Sequence, residues 1–560
     1  MVEMWNSAIQ LHAQGRGKAC AVPNFQPISE QKWGAGWMYS VKCTKCTFIS
    51  PVYKLYKEIP TGKPGRKAAA INLTLQSGLL DMPVGNTRAR LLLTDLDIPP
   101  PSRSGMQTLS NQVSAKMTRL NTINMREKIE AVKSFNEKGG AVNPNIINVA
   151  VDGRYNSITI GHSKKPGQAA SQAIGIACET NTKHKYILSA VMQNKLCWQG
   201  AWLRGKGFTV NCPGGHEDYT ANLPVHAPLS EYDMGKSIGT ELALQNVLIK
   251  YATTDGDGRS AAGIEDSLKI LHPIWSVERL ADPSHLAATQ FRHCYNAKFS
   301  DEMFPGKTRL EKGKVKKILS QDVKARCSLI MTTLFENYCG NTEEMRKRLP
   351  KVLESTIRCY DGDCSMCRSH SVVCLGGITN NWWNRSMYLA SNKVDSLNMN
   401  ENDKSILSEI LKIRISEAAL EKTKFQTNTQ KCEAINRSLS VSLPKNVNNE
   451  RNAMGRLSST ILRSNDGIKS ATEQKAKLLG APLSPKTRYS LRQIERESLY
   501  HREYQTRPEV QRQALLLRGR KLREFREYKN YCAVESGYKK GHLDQPSTAD
   551  DTLQDHSYSK

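Results

Sequence analysis

The stretch Asn145–Asn156, NIINVAVDGRYN, decides the fold of this chain. Its apolar residues occupy every second position from Ile147 to Val151, which is the pattern of a β-strand with one buried face. The pattern predicts a strand over residues 146–152 that ends on Asp152. A carboxylate at the end of a buried strand is costly unless a partner compensates its charge, and a bound cation is one such partner. The competing interpretation is an ordinary turn aspartate in front of a glycine.

Four further strands and two helices are predicted downstream of this stretch. They follow the first strand in the order strand, strand, helix, strand, helix, strand. The turn between the second and third strands is short, so these two strands are expected to be antiparallel neighbours. The predicted strands cover residues 146–152, 171–180, 184–197, 247–255 and 276–282, and the two helices cover residues 233–246 and 263–271.

The fourth and fifth predicted strands also end on acids, Asp255 and Asp282. This order of elements, with an acid at the end of the first and the fourth strand, resembles the ribonuclease H-like layout. That layout places the two strands side by side, so it implies that Asp152 and Asp255 lie close together. Asp257, which shares a glycine-rich loop with Asp255, fits better as the cap of the next helix.

A third acid, Glu433, lies on a predicted helix over residues 430–443 that Pro444 ends. On that helix Glu433, Asn436 and Ser440 share the polar face. Carboxylates from three separate elements are enough to hold two divalent cations of the kind that prefers oxygen ligands. A lone glutamate on an amphipathic helix is also commonly a solvated residue, so the local pattern leaves both interpretations open.

The chain has 560 residues and a formal net charge of +27, with a sequence pI near 9.5. A surplus of this size favours a polyanionic partner, above all nucleic acid, although a basic solvated surface is the alternative. No apolar run approaches the roughly 18 residues of a membrane span, and the first residues lack the apolar core of a signal peptide. We therefore expect an intracellular protein without a membrane partner, in which 15 cysteines favour metal sites and buried thiols over disulfides.

Three groups of cysteines have the spacing of metal ligands. Structural zinc is bound by four Cys or His side chains, and buried free thiols are the alternative for each group. In the first group Cys20 is a third candidate ligand beside Cys43 and Cys46, and no fourth ligand is evident. The second group also lacks a fourth ligand. The third group is complete, and His370 could replace one of its thiolates. The second group comprises Cys197, Cys212 and His216, and the third comprises Cys359, Cys364, Cys367 and Cys374.

Composition and predicted elements divide the chain into six parts. The first is a loop-rich region with a candidate zinc knuckle, and the second is a helical region that is a candidate for binding DNA. The third part holds the five strands, and the fourth is a helical insertion with the last cysteine group. The fifth holds the helix with Glu433, and the sixth is a basic helical tail with a disordered end. The corresponding boundaries are 1–62, 63–144, 145–285, 286–425, 426–460 and 461–560.

The tail contains a basic tract over residues 486–531 with interleaved aromatic residues. Such a tract is typical of an arm that contacts DNA phosphates, and a solvated helical face is the alternative. The residues expected to contact DNA are Arg518, Arg520, Lys521 and Arg523.

Several strings of the sequence, taken together and in order, resemble the Mutator-like transposase family of animal DNA transposons. They run from about residue 40 to about residue 530, and they include VDGRYNS, NKLCW, TTDGDGRS, ADPSHL, CYDGDC, NNWW, LNMNE and TNTQKCEAINRSLSVSLPKNV. The resemblance implies a DDE transposase with a ribonuclease H-like core. It also implies that Asp152, Asp255 and Glu433 are the catalytic acids and hold two Mg²⁺ or Mn²⁺ ions as cofactors.

The resemblance further implies double-stranded DNA as the partner, at both the transposon ends and the target, a nuclear location and a homo-oligomer on the DNA. Mutator-type transposases commonly carry a C-x-x-H motif after the second acid, where this chain has Asp282-Pro283-Ser284-His285. The aspartate argues against zinc there and leaves His285 as an active-site neighbour or a core histidine. The expected active-site neighbours are Asp257, Asp282, His285 and Asn436.

We therefore predict an α/β protein with a mixed sheet of three antiparallel and two parallel strands, a large helical insertion and basic helical flanks. Its predicted function is cut-and-paste transposition by metal-dependent cleavage and strand transfer. One alternative is a host-adopted, non-catalytic nuclear DNA-binding protein, and a second is a structure-selective nuclease with the same acids. Metal-dependent nicking of DNA that carries candidate element ends separates the first alternative from a transposase.

Overall fold

A mixed sheet with helices on both faces lies in the part of the chain that contains the candidate acids. The structure, a computed structural model, describes residues 1–524 except 16–19, 61–64, 66, 157–169, 211, 217–218, 256–257, 396, 515, 518–519 and 522–523. The chain divides into two units, Met1–Pro482 and Leu483–Lys560, which are described separately.

The N-terminal segment contains a helix and a small antiparallel sheet, and not only the loops that its sequence favours. The first strand of this sheet has no buried residue, so it lacks the apolar alternation by which a strand is predicted. The elements are helix α1 (Val2–Gln14) and strands β1 (Phe25–Trp33), β2 (Gly36–Cys43) and β3 (Tyr53–Lys54), in the sheet order β1-β2-β3.

The next segment is mostly helical. Its last helix is long, and the Ser102 side chain caps it by accepting a hydrogen bond from the Gly105 N–H. A two-stranded ladder of β4 and β5 precedes the helices. The elements are β4 (Glu58–Ile59), β5 (Ala68–Ala69), α2 (Ala70–Leu80), α3 (Asn86–Asp95) and α4 (Arg103–Lys138).

The central sheet confirms the predicted mixture of antiparallel and parallel strands. Its strands are β6 (Val149–Tyr155), β7 (Gln172–Glu179), β8 (Ile187–Asn194), β9 (Tyr251–Thr254) and β10 (Glu278–Ala281). They lie in the order β10-β9-β6-β7-β8. Strand β7 is antiparallel to both of its neighbours, whereas β9 is parallel to both β6 and β10. The first and fourth predicted strands are therefore adjacent.

Strand β6 does not end on Asp152, and the predicted strand end is wrong by three residues. The strand continues to Tyr155, and the added residues pair with β7. Within this extension the buried Arg154 guanidinium donates a hydrogen bond to the Leu443 carbonyl oxygen. Pairing and burial thus keep the backbone extended through the acid. Asp152 is a strand residue and not a turn aspartate.

Three helices lie between β8 and β10 in the sequence, and two of them match the predicted helices within a few residues. Strands β9 and β10 each end one residue before the acid, Asp255 or Asp282, that the patterns predict as the last strand residue. The helices are α5 (Trp198–Gly205), α6 (Glu231–Ala243) and α7 (Arg259–Lys269).

A helical part follows β10 and has a hydrophobic core of its own. The core is one cluster of buried side chains that extends along the sequence from Cys294 to Leu420. Short 3₁₀ turns lie at Asp301–Met303 and Ala390–Asn392. The helices are α8 (Pro283–Asn296), α9 (Arg309–Asn337), α10 (Thr342–Tyr360), α11 (Cys367–His370), α12 (Trp382–Arg385), α13 (Glu401–Lys412) and α14 (Glu417–Thr423).

The chain then returns to the central sheet with α15 (Gln430–Ser442), which ends within one residue of the predicted helix, and continues into α16 (Ala453–Leu478). Gly467 interrupts α16 with φ 83° and ψ 169°, a conformation that glycine adopts without strain. In the second unit, α17 (Pro485–Thr506) begins the basic tract. No helix among the described residues is both long enough and apolar enough to cross a membrane.

Alternate residues of the central sheet face two different layers of helices. Val149 and Val151 pack into one core with residues of α4, α6 and α7. Ala150 packs into the other core, with residues of α15 and α16. Asp152 follows Ala150 by two residues and therefore faces the α15 layer. This alternation turns the first candidate acid towards the helix that carries Glu433.

Candidate active site and metal centres

Strands β6 and β9 bring the first two candidate acids together. They are parallel, and Ala150 is paired with Thr253. Asp152 and Asp255 each follow that pair by two residues, so both side chains belong to the same face of the sheet. Neighbouring strands are about 4.8 Å apart. The register therefore places the two carboxylates next to each other.

The Asp152 carboxyl is half-buried and its charge is destabilised. Burial raises its pKa, the charge of Asp255 raises it further, and Glu433 adds a smaller effect in the same direction. The Asn436 side chain opposes these effects because its Nδ2 donates a hydrogen bond to Asp152 Oδ2 at 2.8 Å. The net result is an Asp152 pKa of about 6. A nearby cation would relieve this repulsion.

Helix α15 places the third candidate acid at the same face. Asn436, which contacts Asp152, lies one helical turn after Glu433 on the polar side of the helix. Glu433 Oε1 is 3.2 Å from His285 Nε2, and Glu433 Oε2 is 3.7 Å from Arg437 Nη2. The Glu433 and His285 side chains are 41% and 36% exposed. His285 is therefore a partly exposed neighbour of Glu433 and not a core histidine.

Asp282 is fully buried, and its carboxylate is occupied by hydrogen bonds. Its Oδ2 accepts hydrogen bonds from the backbone N–H and the hydroxyl of Thr429, both at 2.8 Å, and its Oδ1 accepts one from the Ser284 N–H at 2.6 Å. Burial raises the pKa of this carboxyl, but the hydrogen bonds from Thr429 and Ser284 lower it by more. Asp282 thus caps α8 and also fixes the residue that precedes α15.

A second contact holds the same segment. The Thr253 and Thr427 hydroxyls are 2.7 Å apart, which ties the chain before α15 to strand β9. Thr427 and Thr429 therefore set the position of Glu433 relative to Asp255. The sequence does not predict this role for either residue, since it shows only that both lie close before Glu433. The predicted neighbour Asp257 lies outside the described residues.

The ligand atoms of the three acids lie farther apart than those of the cysteine and histidine groups. Among the described residues, three groups of Cys and His side chains have all their ligand atoms within 4.8 Å of one another, and the three acids are not among those groups. Asp255 is exposed, and Glu433 is partly exposed. The carboxylates therefore line an open face of the sheet that solvent or a substrate can reach.

The four cysteines of the helical part lie together in one group, as predicted. Cys359 Sγ is 3.6 Å from Cys364 Sγ and 3.9 Å from Cys374 Sγ. Cys359, Cys367 and Cys374 are buried. Hydrogen bonds from Cys359 and Cys367 lower the pKa of the Cys374 thiol, against the effect of burial. The ligand atoms of all four cysteines lie within 4.8 Å of one another, so no thiolate has to be replaced by a histidine.

The N-terminal group has a fourth candidate ligand that was missed in the sequence. His12 joins Cys20, Cys43 and Cys46, and all four ligand atoms lie within 4.8 Å of one another. Burial raises the Cys43 pKa, but backbone N–H groups and the neighbouring Cys46 and His12 lower it to about 6. The sequence pattern does not place His12 in this group because it favours loops where the structure has helix α1. The signal was the spacing of four between Met4, Ala8 and His12, which form its buried face.

The remaining cysteine group has three ligands among the described residues. His216 Nε2 lies 3.3 Å from Cys197 Sγ and 3.1 Å from Cys212 Sγ. Burial raises the Cys197 pKa, but backbone hydrogen bonds and the neighbouring Cys212 lower it to about 7. The group matches the three residues predicted from the sequence, and the described residues bring no fourth Cys, His, Asp or Glu into it.

Two of the four residues expected to contact DNA belong to the described part of the tail. Arg520 and Lys521 are helical and exposed. Arg518 and Arg523 lie outside the described residues.

Comparison with known proteins identifies the family. The sequence model of the Mutator-like transposase family matches residues 1–374, which is 374 of the 560 residues. The matched region contains Asp152, Asp255 and all three cysteine groups, and it stops before Glu433. Searches of curated proteins and of solved structures give no match. The chain belongs to the Mutator-like transposase family.

Proposed function

We propose that this chain is a DDE-type DNA transposase that cleaves transposon ends and transfers them to target DNA. The observation that carries the proposal is the parallel register of β6 and β9, which sets Asp152 beside Asp255 and faces both towards α15. Membership of a transposase family supports the same reaction. Asp152, Asp255 and Glu433 are the proposed catalytic acids.

The proposed catalytic core is ribonuclease H-like. The strand order β10-β9-β6-β7-β8, with three antiparallel strands followed by two parallel crossovers, supports this assignment. Residues 286–425 would then be an insertion between the last strand and α15, and residues 426–460 would complete the core. The separate hydrophobic cluster of the inserted helices agrees with that division. The other predicted boundaries, 1–62, 63–144, 145–285 and 461–560, stay predictions, and the one at residue 461 falls inside α16.

The acids suit Mg²⁺ or Mn²⁺, which prefer carboxylate and amide oxygens. The Asp152 pKa of about 6 reflects burial and neighbouring acids that a divalent cation would offset. Asn436 Oδ1 is buried and has no hydrogen-bond donor among the described residues, so one more oxygen is available beside the acids. Two such ions, when bound, would activate the attacking oxygen and stabilise the leaving oxygen of a phosphodiester.

The chain's own side chains have distinct roles in this proposal. Asn436 orients Asp152 through the 2.8 Å hydrogen bond, which leaves the second carboxylate oxygen free of that contact. His285 positions Glu433 through the 3.2 Å contact, and Asp282 fixes the start of α15 through Thr429. Asp282 is thus a structural neighbour of the acids, since both of its oxygens are already occupied.

Double-stranded DNA is the proposed partner, which also makes the nucleus the proposed location and a homo-oligomer on two DNA ends the proposed assembly. The net charge of +27 supports a polyanionic partner. The exposed Arg520 and Lys521 would contact phosphates without reading sequence. Deletion of the tail from Lys486 onward should therefore weaken binding to any duplex and flatten its salt dependence. Unchanged affinity and salt slope would mean that the tail is a solvated face.

Structural zinc is proposed for the Cys359, Cys364, Cys367 and Cys374 group, because four thiolates complete a tetrahedral shell. The Cys197, Cys212 and His216 group is also compatible with zinc, with three protein ligands in the described part of the chain. Both are proposed to stabilise the fold and not to take part in cleavage.

Cleavage of the element's own DNA tests the function. The substrate is duplex DNA with the inverted repeats that flank the reading frame, incubated with Mg²⁺ or Mn²⁺. The wild type should nick it, Asp152→Asn should bind but not nick it, and the exposed-site control Asp301→Asn should behave as the wild type. Binding without nicking by the wild type would favour a host-adopted, non-catalytic DNA-binding protein.

A further inference from the structure

Helix α1 meets the N-terminal sheet at a buried histidine. His12 is 2% exposed, and its ring packs edge-on against Phe25 and Phe48, with centroids 5.5 and 5.2 Å away. This packing fixes the ring so that Nε2 lies 3.2 Å from Cys46 Sγ. Met4 and Ala8 are the other residues of α1 that are buried. A polar side chain is thus one of the three buried residues of the helix.

We propose that His12, Cys20, Cys43 and Cys46 bind one structural Zn²⁺ that fastens α1 to the sheet. Cys20 Sγ and Cys43 Sγ are 3.8 Å apart. A tetrahedral site with Zn–S bonds of about 2.3 Å has sulfur atoms about 3.8 Å apart. Four protein ligands close the coordination shell, which is the arrangement of structural and not of catalytic zinc. The proposal does not depend on the DNA-cleavage activity.

Alkylation of the wild-type protein tests the site without any substitution. Cys20 and Cys46 are half-exposed, so iodoacetamide can reach them unless a metal holds their thiolates. Both should react at least about tenfold more slowly in zinc-loaded protein than after chelation. The exposed Cys339 serves as the internal control and should react at the same rate in both samples. Equal reactivity of Cys20 and Cys46 with and without the chelator would overturn the proposal.

Metal content and hydrogen exchange give a second test. His12→Ala should lower the zinc content by about one ion per chain and increase exchange across residues 2–14. The matched control His272→Ala removes an exposed histidine and should keep all the zinc. His12→Cys keeps four ligands and should retain the ion, which separates ligand loss from misfolding. Full zinc content in His12→Ala would contradict the proposed ligand set.

A separate observation concerns Arg326, which is fully buried in the helical part. Its guanidinium lies between the rings of Tyr360 and Trp382, 4.7 and 4.8 Å from their centroids. None of its three nitrogens has a hydrogen-bond partner among the described residues. The nearby Asp322 carboxylate already accepts hydrogen bonds from Tyr360, Trp382 and Ser386. Among the described residues, the Arg326 charge is therefore balanced through space by groups such as Asp322, and not through hydrogen bonds.

We infer that Arg326 is the counter-charge of a zinc tetrathiolate at Cys359, Cys364, Cys367 and Cys374, an inference that rests on the zinc proposed there. Zn²⁺ with four thiolates carries a net charge of −2, and three of these cysteines are buried. Both rings that flank Arg326 adjoin this group, since Tyr360 directly follows Cys359 and the Trp382 backbone N–H donates a hydrogen bond to Cys374 Sγ at 3.2 Å. Each charge is costly alone in the interior, and the pair removes part of both costs. Arg326 is therefore a positioning residue for the metal centre.

The test is the rate at which zinc passes to a competing chelator. Arg326→Met should release zinc from this centre about 10–100 times faster, while Arg326→Lys, which keeps the charge, should stay within a few-fold of the wild type. Arg309→Met, an exposed arginine on the same helix, is the control. Equal release from Arg326→Met and the wild type would overturn the role of Arg326 alone. Equal zinc content in the wild type and Cys364→Ser would overturn the zinc centre, and this role with it.

Discussion

The carboxylates on the central sheet and the thiols of the helical part are both groups of candidate ligands, but they differ in every physical respect. Asp152, Asp255 and Glu433 offer hard oxygens on an open face, and their atoms are not all within 4.8 Å. The cysteine group offers soft sulfur, and its four ligand atoms lie within that distance in a buried core. An open oxygen set leaves room for water and substrate, whereas a closed sulfur set leaves none.

This difference indicates that the carboxylates serve chemistry and that the cysteine group serves stability. A metal bound by the cysteine group would hold together the elements that carry its ligands and would leave those thiolates occupied. Mutually repelling carboxylates destabilise one another, and a bound cation would relieve that repulsion.

The largest effect is expected at the closed group. Replacement of both Cys364 and Cys367 by Ser should remove about one zinc ion per chain and unfold the helical part, because a structural zinc contributes about 10–16 kcal/mol of apparent binding free energy. Metal analysis and thermal melting measure the two effects. Cys339→Ser, at an exposed thiol outside the group, is the control and should change neither. A metal-free wild type purified under reducing conditions would contradict the prediction.

An intermediate effect is expected from divalent cations at the open group. The folded-state Asp152 pKa of about 6 exceeds the ordinary value of 3.8, so this group's contribution to stability falls as pH rises through that window. Above pH 6 the cost is on the order of 3 kcal/mol. Mn²⁺ should therefore raise the melting temperature more at pH 7.5 than at pH 5. Asp152→Asn should abolish this difference, and an equal shift at both pH values would refute the assignment.

A smaller effect of opposite sign is expected from Asp255→Asn without metal. Asp255 raises the Asp152 pKa through its charge, so its neutralisation should lower that pKa and stabilise the protein at pH 7.5 by about 1 kcal/mol or less. The same substitution should abolish nicking. Denaturant unfolding with and without Mn²⁺ measures the gain. Loss of stability in the metal-free variant would show that Asp255 has a structural role instead.

The sheet and its acids could be predicted because their signals are local. Alternating apolar residues mark β6, and Asp255 and Asp282 follow their strands directly. The end of β6 could not be placed, since the pairing that extends it to Tyr155 involves β7 and the Leu443 carbonyl, distant in sequence. Propensity at Asp152 and Gly153 favours a turn, and tertiary contacts override it.

Some candidate metal ligands can likewise be predicted from local sequence, whereas others meet only through tertiary contacts. The four cysteines from Cys359 to Cys374 lie within sixteen residues, so spacing alone assembles them. His12 and Cys46 are 34 positions apart, and their meeting depends on how α1 docks on the sheet. Arg326 gives no sequence signal, because its burial between two aromatic rings arises only from the packing of three helices.

Glu433 is the acid whose role rests most on the structure, because the family match ends at residue 374. It is also the acid that α15 contributes to the proposed site. Asn436, one turn further along the same helix, donates a hydrogen bond to Asp152. Glu→Gln keeps the shape of the side chain and removes the charge that would hold an ion. The matched control is Glu450→Gln, which lies beyond the end of α15.

Mg²⁺-dependent cleavage by Glu433→Gln therefore tests the central claim most directly. Glu433→Gln should lose at least about a hundredfold in cleavage rate while its DNA affinity and melting temperature stay near those of the wild type. Glu450→Gln should cleave as the wild type does. Wild-type cleavage by Glu433→Gln would contradict the account, because the acid on α15 would then not belong to the active site.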